Sequence, residues 1–251
     1  MNNKSRMARR PAPPSASRRP RPAAARAAQQ RAQDTREKIV AAALDAFAEH
    51  GFDGATTRDI AAAAGVNQGL ITYHFSSKQE LWKAAVEQVF GPLRARFASR
   101  LQALEGVDTL TRLRLLMRDF VRFAAAHPQL HRLMVQEGRR DGARMQWLVD
   151  HHVRPLYELT RDLIEAAQRE ALLPQTPPLH LYYALVGAAS LPFVMAPECK
   201  RLTGIDPLQQ AVIDTHADTI AALLLGLARM PRAARPSAPR RTGPRRAVRA
   251  G

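Results

Sequence analysis

Apolar residues recur along this chain with the period of an α-helix, and no segment alternates apolar and polar residues long enough to predict a β-strand. From Thr35 to His50, the apolar residues between Ile39 and Phe47 fall on one face of a helix of about four turns. Gly51 is predicted to end this helix, since glycine is common just past a helix C-terminus. The sequence therefore predicts an all-α fold.

A short second helix is predicted over residues 57 to 64, between a capping residue and a glycine. Thr56 can accept a hydrogen bond from the backbone of Asp59, a variant of the capping box with Asp in place of Glu. Gly65 then stops the helix. These signals define an isolated helix of about two turns, which is too short to be stable without packing against its neighbours.

A third helix is predicted over residues 68 to 74, and Ser77 is expected to cap a fourth that begins near Lys78. Gly91-Pro92 is expected to kink or break this fourth helix, because proline removes a backbone donor and clashes with the preceding turn. Turn residues separate the remaining apolar segments. Further helices are predicted at about 93 to 104, 109 to 126, 128 to 137, 143 to 171, 179 to 196 and 207 to 229.

Charge divides the chain into segments more clearly than composition does. The net charge is +16, yet residues 1 to 33 hold nine Lys or Arg and residues 229 to 251 hold eight Arg, with no acidic residue in either tail. Both tails contain almost no large apolar residues and are predicted to be disordered basic segments. Between them we predict a small helical domain over 34 to 82 and a larger one over 83 to 228. The small domain has four basic and seven acidic residues.

The short helices at 57 to 64 and 68 to 74, joined by a glycine turn, have the form of a helix-turn-helix. Three apolar residues are expected to point inward: Val66, Ile71 and Phe75. They would hold the helix at 68 to 74 against the helices at 35 to 50 and 57 to 64. The other residues of the second helix then face outward, where a DNA major groove could receive them. Its candidate DNA-contacting residues, with the flanking cap and lysine, are Thr56, Gln68, Gly69, Thr72, Tyr73, His74 and Lys78.

Each outward residue has a chemistry suited to part of a DNA site. Gln68 can donate to and accept from an adenine edge, Gly69 allows close approach of the backbone, and Thr72 fits a thymine methyl or a base edge. Tyr73, His74 and Lys78 are better suited to phosphates, which position a protein without reading sequence. Thr56 and the free amides of its helix offer a further phosphate site.

Residues 35 to 82 resemble the DNA-binding domain of the TetR family of transcriptional regulators. The matching elements are Ala-Phe-x-x-x-Gly-Phe, Thr-Thr-Arg-Asp-Ile-Ala, Ala-Gly-Val-Asn and Tyr-His-Phe-Ser-Ser-Lys-x-x-Leu. The resemblance implies a homodimer with a DNA-binding head and a helical ligand-binding domain, dimerised through the helices near 179 to 196 and 207 to 229. It also implies base-facing positions at Gln68, Gly69 and Thr72, and backbone-facing positions at Thr56, Tyr73, His74 and Lys78.

The larger domain has aromatic, Met and His residues on apolar faces, which could line a site for a flat or greasy small molecule. Most of these side chains are expected to be ordinary core. The candidate ligand-binding residues are Phe120, His131, Met134, Trp147, His151, Tyr157 and Tyr183.

Several other chemistries are disfavoured by the sequence. His127 and His131 could share a helix face as metal ligands do, but no second pair of matching ligands is evident, so no metal or cofactor is expected. No nucleophile elbow, phosphate loop or paired acid motif is found, so we predict no enzymatic activity. The single cysteine, Cys199, is expected to be an incidental half-buried thiol. The most apolar run, Leu181 to Ala196, is 16 residues with an internal proline, and is predicted to be a core helix rather than a membrane span.

The sequence is therefore interpreted as a cytoplasmic, ligand-responsive regulator that binds a double-stranded DNA operator and is released by a small-molecule effector. Repression, rather than activation, is implied only by the resemblance. Two alternatives remain open: an architectural DNA-binding protein dominated by its arginine-rich tails, and a helical carrier or enzyme with a vestigial DNA-binding head. A transit peptide within residues 1 to 33 is a minor alternative.

Overall fold

The computed structural model describes residues 22 to 226, and the predicted all-α fold is confirmed, with no strand in this part of the chain. The disorder predicted for residues 1 to 21 and 229 to 251 falls outside the described residues. The first helices are α1 (Pro22–Gly54), α2 (Thr57–Ala64), α3 (Gln68–His74), α4 (Lys78–Ala103), α5 (Thr109–Ala126) and α6 (Pro128–Glu137). They are followed by α7 (Ala143–Leu148), a π-helical turn (Val149–Val153), α8 (Arg154–Arg169), α9 (Pro178–Val194), α10 (Ala196–Thr203) and α11 (Gln210–Gly226).

The first helix is longer than predicted at its N-terminal end. Residues 22 to 33, predicted to be part of a disordered arm, form about the first three turns of α1. This segment is rich in Ala, Gln and Arg, which are strong helix formers. Two hydrogen bonds between residues four apart also stabilise it, from Gln30 to Asp34 at 2.8 Å and from Gln33 to Glu37 at 2.7 Å. Gly51 breaks the regular helix as predicted, with φ of 68° and ψ of 175°.

The boundaries of α2 and α3 are as predicted. Thr56 Oγ1 accepts a hydrogen bond from the backbone of Asp59 at 3.1 Å, and Gly65 ends α2 in the left-handed conformation at φ 66°. Asn67 caps α3 by accepting from the backbone of Gly69 at 2.8 Å. Ser77 Oγ accepts from the backbone of Glu80 at 3.1 Å and so caps α4, as predicted.

Of the two alternatives predicted at Gly91-Pro92, the break is wrong, because α4 is one helix of 26 residues with Pro92 inside it, and the kink stays a prediction. Proline costs this helix one backbone hydrogen bond. Val89, Phe90 and Leu93 are all buried around the proline, and their burial offsets that local cost. The helices predicted separately on each side of Pro92 are therefore the two halves of α4.

The chain forms two compact units, which divide between Val89 and Phe90. The boundary predicted from the sequence lies seven residues earlier, after Trp82. In the first unit, Ile39, Phe47, Ile60 and Trp82 are almost completely buried. These residues form the core on which the short helices pack.

The second unit has a core formed mainly by α5, α8, α9 and α11. Two ion pairs join α5 to α11 beside this core, Arg122 to Asp214 at 2.7 Å and Arg118 to Asp218 at 3.2 Å. The helix predicted over 143 to 171 contains a π-helical turn, and α10 was not predicted. This short helix ends at Gly204, which the sequence indicated only as part of a turn.

No single helix in the described part of the chain is long and apolar enough to cross a membrane. The pair α9 and α10 satisfies length and composition only when the two are taken together, and they are bent by 71° at their junction. Among the described residues, no group of three or more His, Cys, Asp or Glu side chains is gathered around a possible metal position. Cys199 is half-buried and free.

Candidate functional site

The second helix of the helix-turn-helix, α3, divides into a buried and an exposed side as predicted. Ile71 and Phe75 are buried, at 4% and 6% exposure, and Val66 before the helix is half-buried. Gln68, Gly69 and Thr72 are exposed on the opposite side. Because a seven-residue helix keeps only Ile71 fully buried, its remaining surface is free to meet a partner.

The exposed side chains at the start of α3 are held by neighbouring polar groups. Gln68 Nε2 donates to Thr57 Oγ1 at 3.3 Å, which ties α3 to α2. A Cβ added at Gly69 would lie 3.2 Å from Asn67 Oδ1, the atom that caps the helix. Thr57 and Asn67 were not among the predicted site residues, although Asn directly before a helix is a recognisable cap signal.

Tyr73 and His74 lie at the C-terminal end of α3, where Tyr73 is the most exposed aromatic residue of the first unit at 78%. The two rings meet edge to face at a centroid distance of 5.0 Å. His74 is half-buried and also borders an open groove whose other wall is the N-terminal part of α1. That wall consists of Arg26, Gln29, Gln30, Ala32, Gln33 and Arg36.

Thr56 and Lys78 lie at the ends of elements and already have protein partners. The Thr56 hydroxyl donates to Asp59 Oδ2 at 2.6 Å, so a carboxylate lies beside the amides that were predicted to form a phosphate site. Lys78 Nζ lies 4.7 Å from the centroid of the Phe52 ring and 3.4 Å from the carbonyl oxygen of Asp53. The side chains of Thr56 and Lys78 are therefore each held by protein contacts. A phosphate bound at Thr56 would be repelled by the negative charge of Asp59.

The second unit contains a cavity of about 620 Å³ between its helices. Phe90, Leu93 and Phe97 of α4 form one part of its wall, and residues of α5, α6, α8 and α9 form most of the rest. Val149 and Val153, at the two ends of the π-helical turn, also line it. Its volume and mostly apolar lining are typical of sites for small molecules.

The cavity includes four of the seven predicted ligand-binding residues. Phe120, His131, Met134 and Tyr183 line it. The other three lie elsewhere: Trp147 stacks on exposed His151 at 5.0 Å, and Tyr157 meets Tyr182 edge to face at 5.1 Å. A regular helical period could not relate Trp147 to Tyr157, because the π-helical turn between them shifts the helical register.

Five polar residues line the cavity: His131, Thr160, Tyr182, Tyr183 and Ser190. The hydroxyl groups of Thr160 and Ser190 each donate at 2.7 Å to a carbonyl oxygen four residues earlier in their own helices. Burial raises the pKa of Tyr182 to about 12, with smaller contributions from the neighbouring tyrosines. These groups are uncharged at neutral pH.

His131 is the only nitrogen-bearing side chain among the described residues of the lining. Its Nε2 is buried and has no hydrogen-bond partner in the part of the chain that the structure describes. Burial, with a smaller effect of nearby His127, lowers the pKa of His131 from 6.5 to about 4. The ring meets Phe120 edge to face at 6.2 Å.

Behind the cavity wall, His152 is almost completely buried at 1% exposure. Its ring stacks on Phe90, a lining residue, at 4.8 Å, and its Nδ1 is hydrogen-bonded to the Arg94 guanidinium. Because guanidinium can only donate, Nδ1 accepts, and the neutral imidazole carries its proton on Nε2. No local pattern predicts this pair, whose residues are 58 positions apart.

The outward face of α9 is apolar and exposed, and three of its residues, Tyr183, Gly187 and Leu191, also line the exposed rim of the cavity. Tyr183 and Leu191 are 64% and 60% exposed. Gly187 between them is also exposed, and a Cβ added there would meet no other described part of the chain within 4 Å. On α11, Leu223 is 60% exposed, and His216 joins the two helices with Nε2 at 2.9 Å from the carbonyl oxygen of Ala188. A contiguous apolar surface of this kind usually marks an interface.

Comparison with known proteins identifies relatives of both units. A family described as "Bacterial regulatory proteins, tetR family" matches residues 39–85, and one described as "Tetracyclin repressor-like, C-terminal domain" matches residues 110–223. The HTH-type transcriptional regulator RutR of Escherichia coli (strain K12) is 25% identical over 195 residues, which cover 76% of this chain and 88% of RutR.

Two further relatives differ in how much of the chain they match. The HTH-type transcriptional regulator CymR of Pseudomonas putida is 37% identical over 79 residues, 32% of this chain and 39% of CymR. The crystal structure of AibR in complex with isovaleryl coenzyme A and operator DNA has a TM-score of 0.57 at 14% identity, and covers 76% of this chain and 98% of AibR. At that identity, the likeness to AibR establishes the fold alone.

Proposed function

Because this chain belongs to the TetR family of transcriptional regulators and has the DNA-binding helix-turn-helix of that family, we propose that it is a repressor released from its operator by a small molecule. The proposal rests on the exposed residues Gln68, Gly69 and Thr72 of α3. The opposite side of this helix packs on the core through buried Ile71 and Phe75. A cavity suited to an effector lies in the second unit of the same chain. We propose that the protein has no catalytic activity, because the relatives it matches are transcriptional regulators.

In this proposal, α3 enters the major groove and its exposed N-terminal half reads bases. Gln68 contacts an adenine edge, Thr72 contacts a thymine methyl or a base edge, and Gly69 lets the backbone approach. Tyr73, His74 and Lys78 contact phosphates, and Thr56 contributes a weaker phosphate contact because of nearby Asp59. The exposure of the first three residues supports their assignment to bases.

The basic N-terminal arm is proposed to supply much of the nonspecific attraction to DNA. Residues 34 to 82 have a net charge of −3, from four basic and seven acidic residues, so the head itself repels the phosphate backbone at long range. Arg26 and Arg36 border the same groove as His74 of α3, which supports a continuation of the DNA surface along α1. Binding through this arm would fall steeply with salt.

The effector is proposed to act by filling the cavity and favouring a state that binds operator poorly. Phe90, Leu93 and Phe97 of the cavity wall belong to α4, the helix whose N-terminus follows α3 directly. A continuous helix can transmit a displacement that a broken helix would absorb. The effector can shift DNA affinity only by its differential affinity for the two states.

The active form is proposed to be a homodimer in the cytoplasm, with α9 and α11 as its interface. TetR-family regulators act as dimers, and the exposed apolar face of Tyr183, Leu191 and Leu223 supports this location. Gly187 would allow the two copies of α9 to approach closely. A dimer also fixes the distance between two copies of α3, as reading two half-sites requires.

Fluorescence anisotropy tests the DNA-binding proposal. The full chain and a shortened chain of residues 22 to 228, which keeps all described helices, are titrated with DNA from upstream of the protein's own gene and with a scrambled duplex at several salt concentrations. Both are expected to prefer the upstream DNA. The double substitution Gln68→Ala and Thr72→Ala should remove the preference, because two base contacts are worth about 1–3 kcal/mol each. Exposed Gln102→Ala on α4 is the matched control.

Preference for the upstream DNA that is lost in the double variant, but kept in the control, would support the regulator. If binding is lost when the tails are removed and is unchanged by the two substitutions, the architectural alternative is favoured. If neither the full chain nor the shortened chain binds upstream or scrambled DNA, the carrier or enzyme alternative is favoured. A reporter gene behind the bound sequence then distinguishes repression from activation.

A further inference from the structure

The cavity of the second unit carries no formal charge on the lining residues that the structure describes. None of these residues is Lys, Arg, Asp or Glu, and most are Phe, Leu, Met, Val or Ile. An anion that moved past the exposed rim of such a site would lose much of its hydration and would find no opposite charge. The free-energy cost of that transfer disfavours anionic ligands whatever their shape.

Charged groups that lie beside the cavity already have protein partners. Glu137 is buried directly before Gly138, a lining residue, and both of its oxygens are 3.1 Å from Arg144 Nε. The Arg94 guanidinium is hydrogen-bonded to neutral His152 behind Phe90. An anionic ligand would have to displace one of these partners to obtain a counter-charge, and displacing Glu137 from Arg144 would leave a buried carboxylate uncompensated.

The hydroxyl groups of the lining offer few donors to an anion. Thr160 and Ser190 each donate to a carbonyl oxygen of their own helix, so toward a ligand they can only accept. The two tyrosines, Tyr182 and Tyr183, keep a phenol hydrogen for one contact each. A carboxylate or sulfonate needs several donors at once to be stable away from water.

His131 supplies a polar group without supplying a charge. Its ring lines the cavity, and its buried Nε2 has no hydrogen-bond partner among the described residues. Since burial lowers its pKa to about 4, the ring is neutral at pH 7 and offers one donor and one acceptor. A ligand hydroxyl or carbonyl that reached this ring would remove the cost of an unsatisfied buried nitrogen.

We propose that the effector is an uncharged, largely apolar molecule with one hydroxyl or carbonyl group directed at His131, and that carboxylates and sulfonates of the same skeleton are excluded. This inference rests on the proposed ligand-binding function and narrows the effector to one chemical class. That class does not include isovaleryl coenzyme A, the ligand in the AibR structure.

The test compares two fluorescent probes that differ in a single charged group. N-phenyl-naphthylamine is neutral, and anilinonaphthalene sulfonate is the same ring system with a sulfonate. The full chain at pH 7.5 is expected to bind the neutral probe saturably and the sulfonate at least about tenfold more weakly. Equal or tighter binding of the sulfonate would overturn the proposal, and so would no binding of the neutral probe up to its solubility limit.

A series of displacements distinguishes the headgroups on one alkyl chain. Decanol should displace the neutral probe at concentrations at least about tenfold below those needed for decanoate. Decanol should also lose affinity in the His131→Phe variant, while the probe, which has no hydroxyl, should not. Displacement by decanoate as effective as that by decanol would overturn the inference.

A positive charge placed at the cavity rim tests whether the sulfonate binds weakly because the lining has no counter-charge. Val135 lines the cavity and is 65% exposed, so Val135→Lys should fold normally. It is expected to strengthen binding of the sulfonate several-fold, with little change for the neutral probe. Leu202→Lys on α10 is the control, because Leu202 is 80% exposed and lies outside the lining. An equal gain in both variants would place the sulfonate elsewhere and would contradict the inference.

Operator release separates this inference from the proposed function. If decanol binds as expected but leaves DNA affinity unchanged, the ligand class stands and the ligand-responsive repressor fails. If decanoate binds as well as decanol and releases the DNA, the repressor stands and the ligand class fails.

Discussion

Acidification should destabilise the second unit through His131, and the effect can be estimated from its burial. The pKa of His131 is about 4 in the folded chain and 6.5 when the ring is free in water. Between these two pH values the unfolded chain binds more protons than the folded one, so the free energy of unfolding falls as pH falls from 6.5 toward 4. At pH 5 the loss is about 2 kcal/mol, and below pH 4 it approaches about 3 kcal/mol.

The assay is urea unfolding of the full chain at pH 8 and pH 5, followed by circular dichroism. His131→Phe removes the titrating group and keeps an aromatic ring against Phe120. The variant should therefore lose about 2 kcal/mol less than the unsubstituted chain between the two pH values. The same exchange at exposed His180 is the control, because His180 lies outside the cavity.

The comparison of variants matters because other groups titrate in the same range. Carboxylates and the remaining histidines contribute equally to the variant and the parent chain, so their effects cancel in the difference. The reasoning would be refuted if His131→Phe and the parent chain lost the same stability on acidification. It would also be refuted if His180→Phe gave the same protection as His131→Phe.

Two further substitutions test the DNA-binding and dimer surfaces. Gly69→Ala places a Cβ 3.2 Å from Asn67 Oδ1, so that cap atom must shift by a few tenths of an ångström, and the substitution should weaken operator binding about tenfold or more in anisotropy; unchanged operator affinity would contradict close approach of the backbone at Gly69. Leu223→Glu should shift the chain from dimer to monomer in sedimentation velocity, whereas Leu202→Glu should not; a dimer that survives the first substitution would place the interface away from α11.

The helix-turn-helix could be predicted closely from the sequence because its signals are local. The Thr56 cap, the glycine at 65 and the serine at 77 each act within four residues of their own position. The buried residues Ile71 and Phe75 are four apart, so one helical period identifies both. Local hydrogen bonds and helical spacing are sufficient to define such a motif.

The cavity could be predicted only in part, because its wall comes from residues distant in sequence. Phe120, His131 and Met134 lie on α5 and α6, which are helices of the expected length and register. Trp147 precedes the π-helical turn, His151 lies in it and Tyr157 follows it, and the extra residue of the turn rotates the side chains after it relative to a regular helix. A regular helical period therefore does not carry from Trp147 to Tyr157.

Glycines at three positions show why a local breaker signal is not sufficient to predict a helix end. Gly51 and Gly65 have φ of 68° and 66°, a conformation that other residues rarely adopt, and each interrupts or ends a helix. Gly91 remains within α4 although proline follows it. Around Gly91, buried Val89, Phe90 and Leu93 contribute more to stability in a continuous helix than the lost hydrogen bond costs. The balance between this burial and the lost hydrogen bond depends on what packs against the helix, which the residues at 91 and 92 do not encode. As a result, α4 is one continuous helix from the turn after α3 to the wall of the cavity.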